Sequence, residues 1–403
     1  MTQTRSVPLL LTINAGSSSL KFALYEAAEP LADACFRGAI RQIGDAPYFD
    51  LLQSPDGAAT SWKIDASTPE EAIAELMAWL GRHPYHPVIL AAGHRVVHGG
   101  STFDKPVLLN RKILQQLESL SPLAPLHMPH NLGAVKSLWQ HLPDLPQVAC
   151  FDTAFHWHMP PVEHEFAIPR SWRDLGIQRY GFHGLSYEYI AQVLPEYLGQ
   201  KADGRIIVAH LGSGASLCAL HRRRSIATTM SFTPLDGIPM ATRPGQLDPG
   251  ALLYLRQQGF DDKTISQGLN HESGLLGLSG ISGDIRSLLT HSDPTAQLAV
   301  KYFVHHTHRA IGSLAAALGG LDALIFTAGI GENSAFIRQQ LCEKGAWLGL
   351  ELDPKANEQG QGRISPGHSI PSVWVIPTNE ELMVARHTLH LTQELLLEQG
   401  TPT

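Results

Sequence analysis

Apolar positions along the chain follow two rhythms. Short runs rich in Leu, Ile, Val and Ala recur at 7–13, 20–25, 88–92, 147–151, 205–210, 216–220, 323–327 and 373–376, and each predicts a β-strand. Between them lie stretches of helical period. Thr68-Pro69-Glu70-Glu71 supplies an N-cap, a proline at the first helical position and a capping-box glutamate; Ile73, Leu76, Met77 and Leu80 then repeat at helical spacing. A last helix is predicted from near Asn379, carrying Leu382, Met383, Ala385 and Leu389. Strands mixed with helices place the chain in the α/β class.

One pattern occurs twice. Asn14-Ala-Gly-Ser-Ser-Ser-Leu-Lys-Phe-Ala-Leu24 and His210-Leu-Gly-Ser-Gly-Ala-Ser-Leu-Cys-Ala-Leu220 both read strand, Gly/Ser turn, strand. They share Gly16/Gly212, Ser17/Ser213, Ala23/Ala219 and Leu24/Leu220. The echo fits two similar domains, each with a hairpin whose turn faces a common cleft. The boundary is expected after Phe155, with residues 1–155 and a returning 385–403 in one domain and 156–384 in the other.

Composition narrows the class. A chain of 403 residues suggests two or three domains, and a 43% hydrophobic content supplies their cores and excludes wholesale disorder. A net charge of −7 argues against general binding to nucleic acid or anionic membranes. Cys35, Cys150, Cys218 and Cys342 form no C-x-x-C pair, so neither a disulfide framework nor a zinc knuckle is expected. The uncharged run Ala310–Leu321 is too short and Gly-rich to span a membrane. The apolar stretch Val7–Ile13 is too short for a signal-peptide core, and a cytoplasmic protein is expected.

Several familiar motifs are missing. There is no Gly-Lys dipeptide and hence no Walker A loop; Gly329-Ile-Gly331-Glu-Asn-Ser334 lacks the third glycine of a dinucleotide fingerprint; neither H-E-x-x-H nor G-x-S-x-G occurs. His305-His306-x-His308 has metal-ligand residue types, but no carboxylate lies beside it, so packing or surface roles are expected. Polar clusters fall instead at predicted strand ends, where α/β folds bind ligands. In Asn14–Lys21 small residues let backbone N–H groups approach an anion while Lys21 adds charge. His210-Leu-Gly-Ser-Gly214 and Gly329-Ile-Gly-Glu-Asn333 repeat that logic, and together the three read as a phosphate cradle. Arg95 in His94-Arg-Val-Val-His-Gly-Gly100, Asp152 after Val148-Ala-Cys-Phe151, His183 in Tyr180-Gly-Phe-His-Gly184 and Arg243 in Ala241-Thr-Arg-Pro-Gly-Gln-Leu-Asp-Pro249 are the candidate chemical side chains.

These residues carry a resemblance. Segments Asn14–Lys21, His94–Gly100, Leu123–His127, Phe151–His156, Tyr180–Gly184, Thr327–Ser334 and Pro377–Glu381, in this order from about Leu10 to Leu391, resemble the acetate kinase family. That family lies within the acetate and sugar kinase, heat-shock protein 70 and actin superfamily. The resemblance implies two domains of a duplicated actin/ribonuclease H-like fold around a central cleft, and a homodimer. It implies reversible transfer of the ATP γ-phosphoryl group to acetate, giving acetyl phosphate and ADP, with Mg²⁺ (or Mn²⁺ as a substitute) as cofactor. Asn14 and Glu380 would hold the metal. Ser17, Ser19, Lys21, His210, Leu211, Gly212, Ser213, Gly214, Asp284, Ile285, Arg286, Gly329, Ile330, Gly331, Glu332 and Asn333 would bind nucleotide. Arg95 and Arg243 would hold the carboxylate and the moving phosphoryl group, and His183 would stabilise the transition state. Asp152 is the family's acid/base candidate and His127 belongs to the substrate site. Val97, Leu126, Phe182 and Pro234 match the family's methyl pocket.

Elementary chemistry agrees with most of this casting. Phosphoryl transfer depends on positioning and charge neutralisation, and arginine's planar fork suits both a carboxylate and a phosphoryl group. A carboxylic acid with a pKa near ~4.3 is already ionised at pH 7 and needs no base, so Asp152 is expected to orient an arginine or the metal shell. The chain also departs from the family pattern. Ser213 stands where the family usually has Asn; Ala241, Pro244 and Gln246 replace Gly, Ser and Asp; Leu185 and Tyr187 interrupt the usual sequence after the histidine; Met128 replaces an Asn. Alternatives are a kinase for propionate or another short-chain fatty acid, or a nucleotide-binding relative weakened in catalysis.

Overall fold

The computed structural model describes residues 8–398 apart from 55, 56, 58 and 84–87; Val7, where the first predicted strand begins, lies outside the described residues. The chain separates into two compact units. One runs up to Ala154 and resumes at Asn379; the other is Phe155–Thr378.

The first unit is built on an eight-stranded mixed sheet. Its strands are β1 (Pro8–Ala15), β2 (Ser19–Glu26), β3 (Phe36–Arg41), β4 (Tyr48–Gln53), β5 (Thr60–Lys63), β6 (Val88–Val96), β7 (Val107–Leu108) and β8 (Gln147–Phe151), in the order β5-β4-β3-β2-β1-β6-β8-β7. β1 pairs antiparallel with β2 and parallel with β6, which is parallel to β8. Leu9, Leu11 and Ile13 of β1 pack with Ala72, Ile73, Leu76 and Leu80 of helix Pro69–Arg82 and with Ala134 and Leu138 of helix Met128–His141. The predicted cap of the first of these helices forms: Thr68 Oγ1 accepts from Glu71 N at 3.2 Å, while the Glu71 carboxylate accepts from Ser67 N rather than from Thr68. The last helix, Glu380–Glu398, lies against β6 and β1. Gly93 makes that approach possible, because a Cβ there would collide with Thr388 Oγ1 and Val384 Cγ1.

The second unit carries a six-stranded sheet. It comprises β9 (Arg205–Leu211), β10 (Ala215–His221), β11 (Arg224–Thr228), β12 (Ala323–Thr327), β13 (Gly362–Arg363) and β14 (Ser372–Val375), ordered β11-β10-β9-β12-β14-β13. Helix Gly184–Leu198 buries Tyr187, Ile190, Ala191 and Leu194 against Ile206, Val208, Cys218 and Ile325. Helix Pro294–Leu318 packs on β9, β10 and β11.

The two sheets share one topology. In each, an antiparallel meander of three strands is followed by two strands parallel to the first: β3-β2-β1-β6-β8 and β11-β10-β9-β12-β14. This is the duplicated actin/ribonuclease H-like fold. The echoed segments are the first hairpin of each unit, β1–β2 and β9–β10. Asn14, Arg95 and Asp152 consequently stand at the carboxyl ends of β1, β6 and β8. His210, Thr327 and Thr378 stand at or just beyond the ends of β9, β12 and β14.

Candidate active site

In the first unit the polar side chains gather on Arg95. Its Nε and Nη2 donate to Asp152 Oδ1 and Oδ2 at 2.9 and 2.6 Å, and Nη1 donates to Asn14 Oδ1 at 3.2 Å. Glu380 Oε2 is 3.8 Å from Nε. Asp152 is buried and Arg95 three-quarters so, with side-chain exposures of 2% and 25%. Burial alone would lower the arginine's pKa, but the carboxylates of Asp152 and then Glu380 outweigh it and raise it, so the guanidinium stays charged. The two acids opening the last helix divide their work: Glu380 faces Arg95, and Glu381 pairs with Arg37 at 3.0 Å. Asn379 Oδ1 accepts from Leu382 N at 3.0 Å, an N-cap bond that fixes this first turn.

Asn14 is directly opposite Lys21 in the β1–β2 ladder, so their side chains share a face. Lys21 is exposed, as is Ser17 in the connecting loop, and Ser19 is half-buried. Gly16 N donates to Ser19 O at 2.8 Å and closes that loop.

Asn131, on helix Met128–His141, is a member of this region that motif reasoning misses. Its Oδ1 accepts from Val97 N at 3.0 Å and its Nδ2 donates to Ala15 O at 2.6 Å, tying the ends of β6 and β1 together. It is a buried polar residue in the stripe Met128, Leu132, Val135, Leu138, and that break in an apolar face is its one sign in the sequence. Val97 is buried, while Leu126 and His127, just before the same helix, are exposed.

In the second unit the glycine loop after β9 is the meeting point. Gly212 N donates to Gly214 O at 3.2 Å, and Ser213 O accepts from Ala241 N at 3.1 Å. A Cβ built on Gly214 would stand 2.6 Å from Arg243 Nη2 and 3.3 Å from His183 Nε2, so both side chains converge on this glycine. Arg243 is steadied by a 2.8 Å bond from Nη1 to Pro234 O. His183 adopts a left-handed backbone, φ 60 and ψ 24, at the start of helix Gly184–Leu198. Phe182 beside it is buried and Pro234 half-buried.

His210 does not stand open at the end of its strand. Its ring stacks on His183 with centroids 4.3 Å apart, and its Nδ1 bonds Ser186 Oγ at 2.8 Å. Leu211 is buried in the hairpin.

The segment Gly329–Asn333 follows β12, whose last residue Thr327 pairs with His210. A Cβ on Gly212 would lie 3.7 Å from Ala328 Cβ, so the two glycine-bearing segments are neighbours. Glu332 turns inward: Oε1 accepts from Ala328 N at 2.7 Å and Thr378 N at 3.2 Å. Gly331 and Glu332 offer their carbonyls to the buried guanidinium of Arg338, at 2.9 and 2.8 Å, and Asn333 Nδ2 donates to Gly329 O. Ile330 is half-buried. Asp284 caps helix Ile285–Thr290 and pairs with its exposed neighbour Arg286 at 2.7 Å, which lowers the acid's pKa. The preceding Gly283 packs against Ala241, whose N–H is bonded to Ser213.

Oxygen donors dominate the Arg95 cluster. One carboxamide and two carboxylates around a single guanidinium make a hard set suited to Mg²⁺, which binds through one or two carboxylates plus phosphate oxygens. Among the described residues no group of three or more His, Cys, Asp or Glu side chains could hold a metal by itself, and no helix is long and apolar enough to cross a membrane.

Comparison with known proteins points the same way. The profile of the Acetokinase family matches residues 9–386. An acetate kinase of Rhodopseudomonas palustris is 52% identical over 392 residues, spanning 95% of this chain and 98% of that protein. A solved propionate kinase from Francisella tularensis superposes with a TM-score of 0.89 at 36% identity, covering 95% of this chain and 100% of that one. An acetate kinase from Porphyromonas gingivalis gives 0.85 at 35% identity, with 95% and 99% covered.

Proposed function

The chain belongs to the acetokinase family and is a phosphotransferase, and from that premise we propose that it transfers the γ-phosphoryl group of ATP to acetate, reversibly, giving acetyl phosphate and ADP. The observation that carries the reading is the convergence of Arg243 Nη2 and His183 Nε2 on Gly214. A guanidinium and an imidazole N–H at a glycine loop suit the equatorial oxygens of a phosphoryl group in flight.

A carboxylate oxygen of acetate attacks the γ-phosphorus in line, the bond to the bridging oxygen breaks, and its electron pair stays on ADP. No proton need be removed, because the nucleophile is ionised at neutral pH. Asp152, doubly bonded to Arg95, therefore serves to hold that guanidinium in place for the carboxylate and the phosphoryl group. Lys21, Ser17, Ser19 and the Gly212–Gly214, Asp284–Arg286 and Gly329–Asn333 segments take the nucleotide. Glu332 acts there by bracing the backbone of its own loop. Mg²⁺, held by Asn14 and Glu380, would supply neutralisation of the phosphate charge. Val97, Leu126, Phe182 and Pro234 receive the substrate methyl, with His127 beside it. The same reading expects a homodimer working in the cytoplasm.

A second reading has one specific support: the Francisella tularensis structure that superposes at 0.89 is a propionate kinase. Purified protein supplied with ATP and Mg²⁺ decides between them. ADP formation measured with acetate, propionate and butyrate in parallel should rank in that order, and chelation should abolish it until Mg²⁺ or Mn²⁺ is restored. No acetate-dependent turnover would sink the proposal, and a preference for propionate would install the second reading.

A further inference from the structure

β1 and β6 run parallel, yet their ladder stops before either strand does. Its last pair is Ile13 with His94. Beyond it each strand stays paired to its outer neighbour: Asn14 and Ala15 to Lys21 and Leu20 of β2, Arg95 and Val96 to Cys150 and Phe151 of β8. The carboxyl ends of β1 and β6 therefore form a fork, the kind of opening at which α/β sheets bind ligands. Asn14 and Arg95 are the first residues past the last shared pair, and Val97 directly follows the end of β6.

One side chain fills the fork. Asn131 is buried; its Oδ1 accepts from Val97 N at 3.0 Å and its Nδ2 donates to Ala15 O at 2.6 Å. A carboxamide carries the same acceptor and donor as a peptide group, so it satisfies one backbone group of each strand and acts as a spacer between them. The asparagine is itself seated by its helix: Asn131 N donates to His127 O at 3.0 Å. One residue thus fixes the main chain at Ala15, Val97 and His127. We propose that Asn131 is a positioning residue for the acid substrate. It sets the gap across which Arg95 Nη1 reaches Asn14 Oδ1 and holds Val97 in place, so it governs affinity for the acid more than for the nucleotide. This role rests on Arg95 and Val97 facing acetate.

The same helix supplies the comparison that separates positioning from mere bracing. Ser137 is also a buried polar residue of helix Met128–His141, but its Oγ donates to Glu70 O at 3.2 Å and so ties that helix to helix Pro69–Arg82. Losing the Ser137 bond weakens the packing of two helices. Losing the Asn131 bonds leaves a buried N–H at Val97 and a carbonyl at Ala15 without their partner, and the strand ends must shift to satisfy them. Such a shift moves the guanidinium of Arg95 relative to Asn14, and small displacements of a substrate-holding group are felt strongly in binding and rate.

The test is steady-state kinetics on the full-length protein, varying acetate and ATP in turn, beside thermal melts and amide hydrogen exchange. Asn131→Leu removes both bonds at nearly constant volume; Asn131→Asp keeps an acceptor for Val97 N and loses the donor to Ala15 O. KM for acetate should rise about 10-fold in Asn131→Leu and less in Asn131→Asp, with KM for ATP within about threefold in both. Exchange should quicken at the Val97 amide in Asn131→Leu and stay unchanged at Ile13 and His94. Ser137→Ala should lower the melting temperature and leave both KM values at wild type. Folded Asn131 variants with a wild-type KM for acetate overturn the proposal, and so do variants in which both KM values rise together or Val97 exchange in Asn131→Leu is unmoved. If Asn131→Leu does not fold, the KM values of Asn131→Asp decide. A wild type without acetate-dependent turnover would instead fault the reading of Arg95 and Val97, and the proposal would fall with it.

Discussion

Gly214→Ala separates catalysis from stability at one atom. The added methyl carbon would stand 2.6 Å from Arg243 Nη2 and 3.3 Å from His183 Nε2. Non-bonded heavy atoms rest at ~3.5–4.0 Å, so the guanidinium must retreat by about 1 Å and the imidazole by a few tenths. That retreat strains the 2.8 Å bond from Arg243 Nη1 to Pro234 O, which anchors the side chain. Neither clash involves backbone, and Gly214 is not among the residues with positive φ, so alanine fits the main chain. The fold should lose no more than about 1 kcal/mol. With Arg243 on the phosphoryl group as proposed, displacing its charge by about 1 Å should cost roughly 10²-fold in rate, or ~2.7 kcal/mol of transition-state stabilisation. The assay is kcat at saturating ATP and acetate beside a thermal melt. A stable variant with kcat within about threefold of wild type would refute the reasoning, because the Arg243 fork could then shift without consequence. Gly93→Ala is the matching control. Its Cβ runs into Thr388 and Val384, so it should loosen the last helix and lower the melting temperature.

Four further outcomes are expected. Asp152→Asn keeps the shape but removes the charge behind Arg95; kcat/KM should fall about 10²-fold and stability by about 1–3 kcal/mol, and an unaffected rate would show that Arg95 is held by other means. If Val97 receives the substrate methyl as proposed, Val97→Ala should raise the propionate-to-acetate ratio of kcat/KM, since each methylene offers at most ~1 kcal/mol of burial; an unmoved ratio removes Val97 from that role. Ser213→Asn restores a longer two-hydrogen donor in the glycine loop and should lower KM for ATP several-fold, or about 1 kcal/mol, with KM for acetate unchanged; an unchanged or higher KM for ATP would contradict this. Burial lowers the pKa of His94, His98 and His156 from 6.5 to about 4. Because the folded values lie below the unfolded ones, this stability is complete above pH 6.5 and drains as pH falls toward 4, by about 2 kcal/mol per histidine at pH 5. The urea midpoint should therefore drop between pH 7 and 5; a flat profile would mean that these rings are protonated in the fold.

The central strands are legible in the chain. All eight apolar runs form strands, and the helix opened by Thr68-Pro69-Glu70-Glu71 runs from Pro69 to Arg82. Both rest on short-range causes: an apolar run that must be buried, a cap satisfied three residues away, a proline tolerated only at a helix start. The strands without such a signature are β3, β4, β5, β7, β11 and β13. β3 carries Arg37, Gly38 and Arg41, β11 begins among arginines, and β7 and β13 span two residues each. Their pairing comes from a neighbouring strand rather than from their own pattern.

The candidate side chains stand at strand ends, as their motifs led one to expect, because Gly/Ser turns and charged residues there mark themselves locally. What holds them is not so marked. Asn131 bonds Ala15 across 116 positions, and Ser186 bonds Thr378 across 192. Tyr187 reaches Ser216 across 29, and Glu332 accepts the N–H of Thr378 across 46. The sequence alone determined which residues carry charge, the eight apolar strands and the capped helix, since those depend on neighbours a few positions away. The tertiary structure decided that Asp152 braces Arg95, that His210 lies under His183 and that Tyr187 stands behind Ser216. Each of these is a hydrogen bond or ring contact between distant segments, and it exists only once the packing of sheet and helix has brought both partners within about 3–4 Å.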